Sequence, residues 1–221
     1  MRGKMPGVVW MAGLLLMLTA QAWDGVYVGM NVEILARHET LAEFRGTRPH
    51  RCRGLTALCP DDCGESGTVA EFRIKRYLAY ERPGEYGDPK AEQLVFMLED
   101  NRGNPKATAG VRAVVQALEE GDRVLLSWNH LYVTVDGHAG PERPVTRLEA
   151  IPAIGTAAWY QALDRVAAVR DADDHGPALR SPEWFEAVSL ALGVYDAAGH
   201  GPDPDGDEWQ RAAHWRAFGI R

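Results

Sequence analysis

Three cysteines, Cys52, Cys59 and Cys63, share one short stretch, HRCRGLTALCPDDCGESG, and His50 stands two residues before the first of them. Three thiolates and an imidazole make a tetrahedral Cys₃His set of the kind that holds zinc. The spacing, Cys-x₆-Cys and then x₃-Cys, matches no standard zinc signature. In an oxidising compartment two of the thiols pair instead, and the third is left to react or to bridge to another chain. Two chemistries follow: a loop tied by a disulfide, or a zinc or copper site built from Cys52, Cys59, Cys63 and His50.

A second group lies within a strongly apolar run, RVLLSWNHLYVTV. Strand alternation puts Trp128, His130 and Tyr132 on one face. Such a row is a ligand-facing aromatic surface, and His130 is the one residue there able to move a proton near neutral pH. A hydrolase built on it needs a carboxylate within hydrogen-bond reach of His130. Other templates fail. His38-Glu39 opens a zincin pattern, but position 42 is Ala where the second histidine belongs. None of the four serines sits in a Gly-x-Ser-x-Gly elbow, and there is no glycine-rich phosphate loop. Asp203, Asp205 and Asp207 alternate in HGPDPDGDEW, but a calcium loop started at Asp203 would have Glu208 at its sixth position and His214 at its twelfth, where Gly and Glu are required. Nothing here demands catalysis.

The compartment follows from the N-terminus. Arg2 and Lys4 precede an apolar run of about twelve residues from Val8 to Thr19, too short for a spanning helix of roughly twenty. Ala20-Gln21-Ala22 is a small-x-small cleavage site, so residues 1–22 read as a signal peptide and the remainder as a periplasmic or secreted protein without a transmembrane segment. The chain carries 24 Lys and Arg against 31 Asp and Glu, and loss of Arg2 and Lys4 makes it more acidic. That balance excludes nucleic acid as a partner. The cluster Arg45, Arg48, Arg51 and Arg53 runs against the trend and reads as a solvated loop.

These groups need elements to hold them. Alternation from Val26 to Ile34 reads as a strand, and Glu39 to Gly67 as a long loop rich in Gly, Pro and Arg. Thr68–Tyr80 and Leu94–Leu98 read as strands. Thr108 caps a helix that runs through Glu119, and Gly121 ends it. Arg123–Val135 is the strongest strand, Asp136-Gly137 turns it, and Pro144–Ile151 is the last. Strand, strand, strand, helix, strand, strand is the element order of an OB-fold. We therefore expect an OB-like β-barrel domain over 23–151, with the cysteine loop packed over one end.

Residues 152–221 change character. Trp159, Trp184 and Trp209 are 25 residues apart, and His175-Gly176-Pro177 recurs at the same interval as His200-Gly201-Pro202. Thr156 and Ser181 each stand three residues before a Trp, as helix N-caps do, with Pro182 at the first helical position. His-Gly-Pro reads as a helix stop, with the histidine against the helix dipole. The expectation is an all-helical repeat region of stacked 25-residue units, the tryptophans in its core.

The fold class expected is thus α+β, a small OB-like barrel followed by a helical repeat. The function expected is an exported, non-catalytic binding or interaction protein, taking another envelope protein or a small ligand. The alternatives are an envelope metal-binding protein using the cysteine loop and a hydrolase with an acid/base site near His130. Bound metal and the redox state of the thiols separate the first two.

Overall fold

The structure, a computed structural model, describes residues 27–52, 66–171, 175–196 and 198–220. The expected signal segment, Arg53, Cys59 and Cys63 lie outside the described residues. The described residues form six antiparallel strands and four helices in the order β1 (Asn31–His50), β2 (Gly67–Glu81), β3 (Gln93–Asp100), α1 (Ala109–Ala117), β4 (Arg123–Val135), β5 (His138–Glu142), β6 (Val145–Ala150), α2 (Ala157–Ala167), α3 (Pro182–Leu192) and α4 (Asp207–Phe218). Among the described residues no helix is long and apolar enough to cross a membrane.

The sheet is open, which overturns the expected OB-like barrel. Its order is β3-β2-β1-β4-β5, with β6 also on β4. Closure would need β3 to pair with β5 or β6. Two features prevent it. β5 and β6 divide one edge of β4, β5 on Leu131–Val135 and β6 on Val124–Trp128. The edge of β3 is partly taken by its own return loop. The N–H groups of Lys106 and Ala107 both donate to the Leu98 carbonyl, and the Asp100 N–H donates to the Asn104 carbonyl. A cleft stays between the two edges.

β1 also corrects the long loop expected from Glu39. As far as Glu43 it is the central strand, paired with β2 on one side and β4 on the other, and from Gly46 to His50 it continues on β2 alone. Both of its faces are covered, so Thr40, Leu41, Ala42 and Phe44 are all buried and the alternation that marks a half-exposed strand is lost. Its register with β2 shifts at three places, so the pair is bulged and bent. Arg45 and Arg48 lie on this strand, paired with Glu43 and Glu71, rather than in a loop.

Strand alternation divides the core in two. Leu41 and Leu125, opposite each other on β1 and β4, face α2, α3 and α4. Their neighbours Ala42, Val124 and Leu126 face the other way, with Phe44, Phe72, Trp128 and Leu148, against Val111 and Val115 of α1. α1 keeps the expected cap: the Thr108 hydroxyl accepts from the Val111 N–H at 3.3 Å.

The expected helical repeat region is likewise not what forms. In a linear stack each unit touches only its neighbours. Here α2, α3 and α4 all touch one another, and their core includes Leu41 and Leu125 of the sheet. Trp159, Trp184 and Trp209 are fully buried at the centre. The Trp184 indole N–H donates to Asp164 on α2 at 2.6 Å, that of Trp209 to Ser189 on α3 at 2.7 Å, and that of Trp159 to His214 on α4 at 3.0 Å. Each helix thereby receives one indole N–H and supplies another, and the trio closes on itself. Thr156 and Ser181 cap α2 and α3, accepting from the N–H groups of Trp159 and Trp184. His175 and His200 do not act on helix ends, because α2 and α3 have already stopped at left-handed Ala168 and Gly193. Both histidines are exposed, each with its Nδ1 beside the carboxylate four residues earlier, Asp171 or Asp196.

The tryptophan bonds are testable. Ser189→Ala leaves the Trp209 N–H buried without its acceptor, and we expect a loss of about 1–3 kcal/mol in urea unfolding. A double-mutant cycle with Trp209→Phe should show positive coupling. Strict additivity would mean that the hydroxyl acts only through its own bond to the Phe185 carbonyl, at 2.5 Å.

Candidate functional site

Two features adjoin on the α1 side of the sheet and share Arg143. The first is a buried cluster of rings. His38 on β1 lies opposite Trp128 on β4 and Tyr80 on β2, and its ring stacks on Trp128 at 4.4 Å and 9°. Ala36 lies opposite His130, which places His38 and His130 diagonally on one face. A register shift adds Tyr77. His38 pairs with Tyr80 and Thr40 with Tyr77, so one residue is skipped and two tyrosines three apart come to the same face. Trp128 and His130 are thus in this cluster and buried, whereas Tyr132 is 42% exposed and apart from it. The aromatic row expected on β4 is therefore divided between core and surface.

The segment between β2 and β3 straps over these rings, and the rings hold it. The Asp88 N–H donates to His130 Nδ1 at 3.0 Å, the Ala91 N–H donates to the Tyr77 hydroxyl at 2.7 Å, and the Tyr80 hydroxyl donates to the Asp88 carbonyl at 2.8 Å. Lys90 Nζ stands over the rings of Tyr77 and Tyr80. The strap crosses β1 so closely that a Cβ on Gly84 or Gly87 would strike Leu35. Asp88 is also gripped by Arg143, through Nε at 2.6 Å and Nη2 at 2.9 Å, a bidentate fork.

This geometry sets the protonation states. His130 Nδ1 accepts the Asp88 amide, so the neutral ring carries its proton on Nε2. Asp88 Oδ1 lies 3.3 Å from the same Nδ1, and that carboxylate is held below its ordinary range chiefly by the hydrogen bond from Arg143. Burial pushes His130 below its ordinary value and pushes His38 down to about 4, against the opposing pull of Asp88. Among the described residues, the Nε2 atoms of both histidines are buried without a hydrogen-bond partner.

The second feature is a cavity of about 410 Å³ in the cleft between the two sheet edges. Phe96 and Met97 of β3 form one wall and Val145 and Leu148 of β6 the other, with Val111 of α1 also lining it. Lys106, Arg143, Arg147 and Glu142 bring charge to it. The Tyr27 hydroxyl donates to Glu142, and its own pKa rises through burial and that contact. Arg143, between β5 and β6, therefore belongs to both features.

Of the cysteine loop, Cys52 and His50 are described. The Cys52 N–H donates to Ser66 Oγ at 2.8 Å and His50 is exposed at the end of β1. Among the described residues no three His, Cys, Asp or Glu side chains gather as metal ligands would. In the acidic stretch, Asp205 takes the Tyr160 hydroxyl of α2, Arg180 Nη2 at 3.1 Å and Gln210 of α4, so it ties the segment before α4 to α2 and to the segment before α3. Sequence reading reached Trp128 and His130. It missed His38, Tyr77, Tyr80, Asp88 and Arg143, which no local spacing connects. No family model, no curated protein and no solved structure matches the chain.

The buried histidines predict a pH dependence. A histidine held below its ordinary pKa binds fewer protons folded than unfolded in the interval between the two values. Stability therefore falls as pH falls from 6.5 towards 4. His38 contributes up to about 3 kcal/mol over that span. Denaturant melts at a series of pH values should show this slope, and His38→Phe should flatten it. An unchanged slope in that variant would assign the effect elsewhere.

Proposed function

We propose that the protein is an exported, non-catalytic binding protein that holds a small molecule in the cavity between β3, α1 and β6. The carrying observation is the cavity itself. It lies within the range of small-molecule sites, its walls are chiefly apolar, and a few charged groups converge on it. It is framed by an open seam of the sheet, where ligand entry needs no break in strand pairing. The acid/base alternative has one observation in its favour, Asp88 beside His130. Against it, that Nδ1 already receives a backbone N–H and the Nε2 atom is buried, so the ring presents no nitrogen to a substrate while the strap is closed.

Val145 is partly buried and lines the cavity. Val145→Trp should fill it while leaving the β4–β6 hydrogen bonds in place. In a ligand-observed NMR screen of small apolar fragments, the wild-type chain should give hits that compete with one another and vanish in Val145→Trp. Hits untouched by the substitution would move the binding site elsewhere.

A further inference from the structure

We infer that the ligand is a monocarboxylate on an apolar body, with Lys106 and Arg143 taking the acid group; this rests on the cavity being the binding site. The lining holds three cations, Lys106, Arg143 and Arg147, against one carboxylate, Glu142. Glu142 already accepts the Tyr27 hydroxyl. The acids that pair with the cations are Asp100, Asp88, Glu39 and Glu149, and none of them lines the cavity. The lining itself therefore carries the cations without the acids that pair with them.

The two leading cations have donors to spare. Arg143 gives Nε and Nη2 to Asp88, which leaves Nη1. Lys106 Nζ is 3.6 Å from Asp100, whose oxygens already accept the backbone N–H groups of Arg102 and Asn104 and the Asn104 side chain. That carboxylate is well satisfied without the lysine. α1 opens at the same place, with Thr108 and Val111 both in the lining, and its N-terminal dipole adds positive potential. A neutral ligand would leave these donors facing apolar surface, and a cation would meet in the lining a single carboxylate, Glu142, which already accepts from Tyr27. Each cation keeps an acidic neighbour, so the wall offers spare hydrogen-bond donors rather than a large positive charge, which suits the single charge of a carboxylate better than the two of a phosphate monoester.

Octanoate and 1-octanol share an apolar chain and differ in the acid. Titration calorimetry on the full chain should show octanoate binding roughly tenfold or more tightly than 1-octanol. Lys106→Met, at a half-exposed and loosely held position, should weaken octanoate several-fold and leave 1-octanol unchanged. Arg143→Met should also weaken octanoate, but it releases Asp88 as well, so the lysine variant decides. Equal affinities for acid and alcohol, both lost in Val145→Trp, would overturn the carboxylate assignment and keep the cavity. Binding of neither, or binding indifferent to Val145→Trp, would overturn both.

Discussion

The pairing of β1 with β4 is the constraint on which the rest depends. These two strands form the middle of the sheet, and their register decides which side chains go to which face. Leu41 opposite Leu125 gives one face its apolar seat for α2, α3 and α4. Ala42 opposite Val124 and His38 opposite Trp128 give the other face its core and its ring cluster. A slip of one residue would send His38 beneath the three helices and Leu41 beneath the strap. Thr40 helps to hold the register, its hydroxyl donating to the Leu126 carbonyl at 2.9 Å in the buried middle of the pair.

On the helical face, three indole N–H donors have to be satisfied without water. A buried donor without a partner is costly, and one polar residue at the matching place on each helix removes that cost. Asp164, Ser189 and His214 are themselves 25 residues apart, so the period that spaces the tryptophans also spaces their acceptors. Three such donors and acceptors can be matched within a closed trio. In an open row, the terminal members would lack a partner. The sheet then supplies the surface that a trio of short helices needs to bury its remaining apolar face.

The opposite face is polar where it is most enclosed. The strap between β2 and β3 has little apolar material, so its backbone N–H groups bond to ring atoms of the sheet, His130 Nδ1 and the Tyr77 hydroxyl. The same rings are kept neutral by burial, which suits their role as acceptors. Arg143 extends this order to the seam. By holding Asp88 it fixes the strap from outside, and by lining the cavity it connects the enclosed cluster with the open cleft.

Local pattern by itself determined the strong strand Arg123–Val135, the cap at Thr108, the caps at Thr156 and Ser181, and the burial of the tryptophans. Each of these is written within a few residues, in a cap, a turn or a periodic face. β5 was not legible, because HAGPE carries no strand pattern, nor was the strand character of Glu39–His50, because its first part is a centre strand covered on both faces and shows no alternation, and its last part is polar and mostly exposed, held by β2 alone. Tertiary structure alone decided that the sheet stays open, that the helices close as a trio, and that His38, Tyr77, Asp88, Trp128, His130 and Arg143 meet. These outcomes rest on a bulge, on the competition of β5 and β6 for one edge, and on hydrogen bonds between groups far apart in the chain. Such terms depend on register and distance in space, and residue order does not contain them.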